Sequence, residues 1–297
     1  MRSDPVGTVL RRGYYEVVHR TLPERLERLH RSPVRWTHYR IRVPLNEAVG
    51  KSLFLYGVYE PIATAVFSAL LSDGDVAIDV GAHLGDFTFV AAAKVGPSGA
   101  VYAFEPQDSV RRILTDNLAS NKITNVIPLD CALADVPGVA RLYDFPDPAA
   151  TAQASLSSLQ VGQSSIYTEV TVSRLDDVIA EDDRHRVAAL KIDVEGSEAL
   201  VLRGATSLLA SAKPAVIFEV NGLSTDGGFT CEAFVALYDA GYVLHGMRPA
   251  TEGFRIKTLT RGEDPSPCRE PWLALNLLAL APGSLAEERL RRQGRFC

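Results

Sequence analysis

Only four cysteines occur in 297 residues, Cys131, Cys231, Cys268 and Cys297, and no two stand at CxxC spacing. That excludes a zinc knuckle or a disulfide framework and makes a reducing compartment the expectation. Nowhere do 18 apolar residues run uninterrupted, so no membrane-spanning helix is expected. Asp4 and Pro5 fall where a secretory leader needs a continuous apolar run. Lysine stands at only six positions, 51, 94, 122, 191, 213 and 257, against abundant arginine and alanine, a bias of GC-rich, bacterial-type coding rather than of a function. Positive charge is in deficit as well: 31 Lys and Arg face 36 Asp and Glu, a net charge of -5, which gives nucleic acid no electrostatic foothold. These absences leave a cytoplasmic protein with a small-molecule partner and neither a nucleic-acid nor a membrane partner.

Hydrophobic residues make up 46% of the chain, enough for one large domain or two ordinary ones. The first 56 residues differ in texture. Arg11, Arg12, Arg20, Arg25 and Arg28 alternate with Leu10, Tyr14, Val17, Leu22 and Leu26 near helical period, and Pro5, Pro23 and Pro33 cut the pattern into pieces. This predicts a mainly helical, basic amphipathic extension, either an arm toward an acidic partner or a piece packed on the main domain. Glu16, Glu24 and Glu27 dilute its charge and favour packing. It is also the surface through which a homo-oligomer would form.

Residues 57–297 read as one domain in which strands alternate with helices. Strands are expected at Asp75 to Val80, Ala100 to Glu105, Val126 to Cys131, Ala189 to Asp193, Ala215 to Val220, Tyr242 to His245 and Trp272 to Leu280. Helices are expected at Pro61 to Leu71, Gly85 to Ala93, Asp108 to Asn121, Glu198 to Ala212 and Thr230 to Ala240. That alternation means a parallel sheet with helices on both faces. Between the third and fourth strands, Phe145 to Thr168 is rich in Ala, Ser and Gln and reads as a loop or lid, followed by an extra strand at Glu169 to Ser173.

The chemistry concentrates at Asp79-Val-Gly81-Ala82-His83-Leu-Gly85-Asp86, a glycine turn between a strand and a helix. Glycines there allow a tight turn and a close ligand approach, which points to a nucleotide site. Glu105 ends the next strand, twenty residues past Gly85, where a carboxylate can accept both hydroxyls of a ribose. A pyrophosphate at the helix N-terminus would be repelled by Asp79, and no GKS or GKT follows. A phosphate-free cofactor bearing an ammonium group is compatible, and S-adenosylmethionine is one.

Asp79 to Asp86, Phe104-Glu105-Pro106, Asn117-Leu118 with Asn121, and Lys191-Ile-Asp193-Val-Glu195-Gly196-Ser-Glu198 together resemble the FkbM-type family of S-adenosylmethionine-dependent methyltransferases. Tyr59-Glu60-Pro61, Leu202-Arg-Gly204-Ala205 and Phe218-Glu219-Val220 match as well, so the likeness covers roughly Gly57 to Val220. His83 departs from the asparagine usual in that turn. The resemblance implies a Rossmann-like, seven-stranded class I methyltransferase sheet with its last strand antiparallel, and transfer to a hydroxyl of a sugar or polyketide-type secondary metabolite. It places Asp79, Gly81 and Gly85 around the methionine part of the cofactor and Glu105 on the ribose, with Ala82 and His83 in the same cofactor-binding turn, His83 alternatively as a packing or backbone-bonding residue of that turn. Pro106, Asp130, Cys131 and Ala132 would lie beside the adenine, with Glu60 and Asp193 also at the cofactor.

An aliphatic hydroxyl must lose its proton during or near transfer, so a general base is expected at the carboxyl end of a strand. The candidates there are Asp193 and Glu195 after the fourth strand, Glu219 after the fifth and His245 at the end of the sixth, with Asp193, Glu219 and His245 taken as the catalytic set. Glu195 and Glu198 alternatively just open a helix, and His245 is alternatively a surface histidine. Tyr59 and Glu60 either close the site or cap the helix begun by Pro61. Lys191 is expected on the opposite face from Asp193, as a packing or salt-bridging residue. Three further readings stand beside the main one: a magnesium ion on Asp193, Glu219 and Asn221, transfer to an amine nitrogen, and a cofactor-binding partner protein without turnover.

Overall fold

A computed structural model of the chain describes residues 5–21, 29–143, 167–220, 228–268 and 275–297. Helix α1 (Pro5–Thr21) leads to an antiparallel hairpin of β1 (His30–Pro33) and β2 (Arg40–Val43), then to α2 (Ala48–Tyr56) and α3 (Pro61–Leu70). Strands and helices next alternate as β3 (Val76–Val80), α4 (Asp86–Val95), β4 (Ala100–Phe104), α5 (Asp108–Ser120) and β5 (Val126–Leu129). A side sheet follows, made of β6 (Cys131–Leu133), β7 (Gly138–Tyr143) and β8 (Tyr167–Ser173), with the short helices α6 (Leu175–Val178) and α7 (Glu181–Arg184) after it. The alternation resumes through β9 (Val187–Ile192), α8 (Glu198–Arg203), α9 (Thr206–Ser211), β10 (Ala215–Glu219) and α10 (Glu232–Asp239). The chain closes with β11 (Val243–Ala250), β12 (Gly253–Thr258), β13 (Asn276–Leu280) and α11 (Leu285–Arg292). Among the described residues no single helix is long and apolar enough to cross a membrane.

The main sheet has the order β12-β11-β13-β10-β9-β3-β4-β5. Its strands from β10 to β5 are mutually parallel, and β13 runs antiparallel to both β10 and β11. This is the expected doubly wound sheet with one strand more. The sixth strand does not stop at His245 but runs on to Ala250 and folds back as β12. Gly246, which reads as a strand terminator, lies inside β11 because a Cβ there would stand 2.0 Å from Cys268 Sγ, so the glycine marks a close approach. Successive side chains alternate between the faces: Val76, Ile78 and Val80 join one core, and Ala77 joins the other. Helices therefore cover both faces.

Other boundaries differ for local reasons. The third strand breaks at Asp130, where β5 stays on the main sheet and β6 turns into the side sheet. The helix expected over Glu198 to Ala212 divides into α8 and α9 at Gly204, whose absent Cβ would sit 2.2 Å from the Ala134 carbonyl. Most of the expected loop from Phe145 to Thr168 lies outside the described residues, but Tyr167 and Thr168 open β8. The seventh strand starts at Asn276, and Trp272 lies outside the described residues. The described part of the N-terminal extension is mainly helical, as expected, with a β-hairpin between α1 and α2, and Ile41, Val43, Leu45 and Leu53 are buried in the same core as Phe67 and Phe89.

Two joints place the site. β3 and β9 are neighbours from which the chain winds in opposite directions, the switch point where open α/β sheets bind ligands. There Gly81, at φ +81, passes so close to the Asp193 carbonyl that a Cβ would stand 1.9 Å from its oxygen. The second joint ties the hairpin to α5. Arg42 N–H donates to Asn117 Oδ1 at 2.7 Å while Asn117 Nδ2 donates to the Arg42 carbonyl at 2.9 Å. Asn121 repeats the pattern with Arg40 at 3.1 and 2.9 Å. Four helical residues rise about 6 Å and two strand residues about 6.7 Å, so two amides one turn apart imitate a neighbouring strand along the edge of β2.

Asn117 is 2% exposed, so Asn117→Ala leaves the half-buried donor and acceptor of Arg42 unmatched and is expected to destabilise the fold by about 1–3 kcal/mol. Chemical denaturation would measure this. Hydrogen exchange at the Arg42 amide should accelerate more than at amides of β3, and unchanged protection there would refute the joint.

Candidate functional site

Two cavities open at the carboxyl ends of the central strands. The first is walled by Phe104, Pro106, Cys131, Leu133 and Leu142, with Glu105 set among them. The second is lined by Glu60, Asp79, Asp86, Asp193, Glu195 and Glu219 around a single lysine, Lys191. Gly81, His83, Asp193 and Glu195 line both. One space is thus mainly apolar, with Glu105 as the acid it does not share, and the space beside it is densely acidic.

The turn after β3 is held from behind. The Phe104 carbonyl accepts from Gly81 N–H at 3.0 Å and Ala82 N–H at 2.9 Å. Glu105 Oε2 accepts from His83 N–H at 2.9 Å, and its Oε1 from Gln107 N–H at 2.8 Å. His83 adopts φ 47, and its Nε2 lies 3.4 Å from Glu47, the N-cap residue of α2. Gly85 shapes the turn rather than a cavity wall, since a Cβ there would stand 2.6 Å from Leu114.

Lys191 is 1% exposed, and its Nζ lies 3.1 Å from Asp193 Oδ2, 3.1 Å from Asn276 Oδ1 and 3.5 Å from Glu60 Oε2. Asn276 Nδ2 in turn donates to Glu60 Oε1 at 2.6 Å. Burial opposes ionisation of Lys191, but Asp193, Glu60 and Glu219 outweigh it and keep the ammonium charged. Asp193 is likewise disfavoured by burial yet is held below the usual carboxylate range by Lys191 and by a hydrogen bond from Glu219. Glu219 carries the shared proton, raised by burial and by the Asp193 charge. Burial pushes Asp79 up to about 6, although Thr88 Oγ1 donates to it at 2.5 Å. Asp86 is raised further by burial and then by Asp79 and Glu60, and its Oδ2 is buried with no hydrogen-bond partner among the described residues. Burial, then Asp193 and Glu198, hold Glu195 at about 7. One ammonium cannot neutralise six acids in a space this dry, so several of them hold protons.

Of the residues singled out from sequence, Glu60, Asp79, Gly81, His83, Glu105, Pro106, Cys131, Ala132, Asp193 and Glu219 line one or both cavities. Glu60 fills both roles considered for it: it is the N-cap residue of α3 with Pro61 next, and its carboxylate turns inward to Lys191. Asp130 is exposed and lines neither cavity. Ala82 and Gly85 belong to the turn backbone only. His245 is neither at the site nor on the surface. It is buried in β11, bonded to Thr258 Oγ1 at 3.1 Å and packed on Phe296, and burial lowers it to about 4. Lys191 does not point away from Asp193, because strand residues two apart share a face.

Asp193, Glu195 and Glu219 bring carboxylate oxygens within 4.8 Å of one another, and Asn221 lies outside the described residues. A divalent ion does not fit that set well: it would face the Lys191 ammonium and displace the proton shared by Asp193 and Glu219. Asn276 and Glu47 do not stand out in the sequence, although a polar residue inside the apolar run Leu275-Asn-Leu-Leu-Ala279 must be paired if buried, a signal that points to Asn276.

Comparison with known proteins agrees with this geometry. The family model described as the methyltransferase FkbM domain matches residues 79–244, more than half the chain. The 31-O-demethyl-FK506 methyltransferase FkbM of Streptomyces tacrolimicus is 34% identical over 160 residues, 45% of this chain and 60% of that protein. Methyltransferase 1 of Beauveria bassiana (strain ARSEF 2860) is 27% identical over 173 residues, 53% of this chain and 66% of that one. The crystal structure of methyltransferase FkbM from Methylobacillus flagellatus KT aligns at 18% identity and a TM-score of 0.44, over 71% of this chain and 47% of that chain.

Because the folded state binds the Asp79 proton more tightly than the unfolded chain, with a value near 6, this group's contribution is fully present below about pH 4 and is lost as pH rises through 6. Asp79→Asn keeps an acceptor for Thr88 and removes that loss. The variant is expected to exceed the parent by about 1–3 kcal/mol at pH 8 and to match it near pH 4. Denaturation curves that stay parallel across that range would contradict the assignment.

Proposed function

The chain belongs to the FkbM methyltransferase family, and on that premise we propose that it is an S-adenosylmethionine-dependent O-methyltransferase acting on a hydroxyl of a small molecule, a sugar or polyketide-type metabolite. The observation that carries the reading is the pair of joined cavities, one mainly apolar with Glu105 in its wall, the other acidic, with Asp193 and Glu195 on the seam between them. The relative from Streptomyces tacrolimicus, named for methylation of 31-O-demethyl-FK506, supports a hydroxyl as the acceptor.

The residues present suit this cofactor. Each oxygen of Glu105 accepts one backbone N–H and keeps a lone pair, so the pair can receive two ribose hydroxyls. Pro106, Cys131, Ala132 and Leu133 form an apolar slot beside it for the adenine. Asp79 and Asp86, where a phosphate would be repelled, suit an ammonium group, and the unmatched Asp86 Oδ2 is a polar atom that such a ligand would satisfy.

When bound, S-adenosylmethionine supplies a methyl group already activated by its sulfonium. The chain's own task is then to hold the acceptor oxygen in line and keep water out, an alignment effect worth up to ~7–11 kcal/mol in the best cases. Tyr59, kept un-ionised by burial and by Glu60, walls the acidic cavity where α3 begins.

Calorimetric titration of the protein with S-adenosylmethionine should show binding, weakened roughly 10–100-fold in Glu105→Ala, the range expected for losing hydrogen bonds to a charged group. Transfer of a labelled methyl to a panel of hydroxylated acceptors, with the product position determined by mass spectrometry, completes the test. Absent binding sinks the reading, a methyl on nitrogen overturns the choice of oxygen, and binding without transfer to any acceptor leaves a cofactor-binding protein.

A further inference from the structure

The seam between the two cavities carries three titratable side chains, His83, Asp193 and Glu195. His83 is set against Glu47 at 3.4 Å. Asp193 receives the Lys191 ammonium and the Glu219 proton, so it is a carboxylate stabilised in its ionised form and a poor acceptor of another proton. Glu195 stands in the turn between β9 and α8 at φ 49, a left-handed backbone that a glutamate rarely adopts, with Gly196 following at φ 95. That backbone places its half-buried side chain on the wall of both cavities.

We propose that Glu195 is the proton acceptor of the reaction: a neutral carboxyl in the free site, it gives its proton to solvent when the cationic cofactor enters and takes the hydroxyl proton of the acceptor during transfer. The proposal rests on the S-adenosylmethionine reading above. The charges acting on Glu195 come from several elements. Asp193 after β9, Glu198 at the start of α8 and Glu60 at the N-cap of α3 favour its neutral form, as does its burial, and Lys191 opposes them. Glu219 at the end of β10 acts in the same cluster. With its value near 7, a single added positive charge in the cavity is enough to ionise it at neutral pH.

The step balances. The acceptor oxygen forms its bond to the methyl carbon, the carbon–sulfur electron pair stays with sulfur, and the hydroxyl proton passes to the Glu195 carboxylate. Sulfur is then neutral, and so is Glu195, which restores the charge state the empty site prefers. The site is armed only while the cofactor is charged.

Proton release on binding tests this without an acceptor. Titration with S-adenosylmethionine at pH 7 in two buffers of different ionisation enthalpy should show roughly half a proton released per cofactor bound. S-Adenosylhomocysteine, which shares every group but the sulfonium, should release less than half as much. Glu195→Gln should bind S-adenosylmethionine within about tenfold of the parent while its release falls by more than half, and Glu195→Asp should keep the release. No release by the parent, equal release with both ligands, or unchanged release in Glu195→Gln overturns the proposal. Equal release with both ligands overturns the proposal even if a variant fails to fold, and Glu195→Asp, which keeps the carboxyl, separates a lost proton from a lost fold. Absence of binding by the parent to either ligand is a separate outcome, and it removes the methyltransferase reading itself.

Discussion

The ammonium of Lys191 is the contact on which the site depends. It is a charge sealed under 1% exposure, and neither it nor the acids around it could be buried alone. Its partners come from four parts of the chain: Asp193 after β9, Glu60 ahead of α3, Asn276 at the start of β13, and Phe87 of α4, whose ring centre lies 4.9 Å from Nζ. The bond from Asn276 to Glu60 closes the circuit between the antiparallel strand and the entry to α3. Local backbone geometry brings Gly81 and Asp193 together, but this circuit sets which acids are ionised.

The result is a gradient of acidity across a short distance. Asp193, nearest the ammonium, is held below the usual carboxylate range, while burial and neighbouring acids raise Glu219, Asp86, Asp79 and Glu195 above it. Groups of one chemical type are given different states by burial and neighbours alone. Maintaining the arrangement lowers stability near neutral pH, a loss that natural proteins accept at sites which must receive a ligand.

Much of this was legible because it is local. Short apolar runs ending in glycine or acid mark β3, β4, β9 and β10, and the glycine turn with Glu105 marks residues that do line a cavity at the ends of neighbouring strands. What stayed hidden depends on distant partners. Nothing near Asn276 reveals that it faces residue 60, and nothing near His83 reveals Glu47. The strand expected to end at His245 runs on through Gly246, whose close approach to Cys268 shows only in the fold, and His245 lies inside β11, paired with β12 and away from the site. The alternation in Gly253 to Thr258, with Phe254 and Ile256 buried, marks β12 only faintly because it is six residues long. Glu195 reads as the start of a helix, yet the helix begins at Glu198 and the freed turn aims Glu195 at the seam.

The bonds from Asn117 and Asn121 to β2 go to main-chain atoms of Arg40 and Arg42, not to their side chains. Such a socket sets no demand on the side chains at positions 40 and 42, while Ile41 and Val43 are held by the core. The hairpin can therefore exchange its exposed side chains in evolution while Glu47, four residues beyond it, stays registered against His83. Variation at the exposed positions of the hairpin is thereby uncoupled from the acids of the site, which keep their partners while that surface is rewritten.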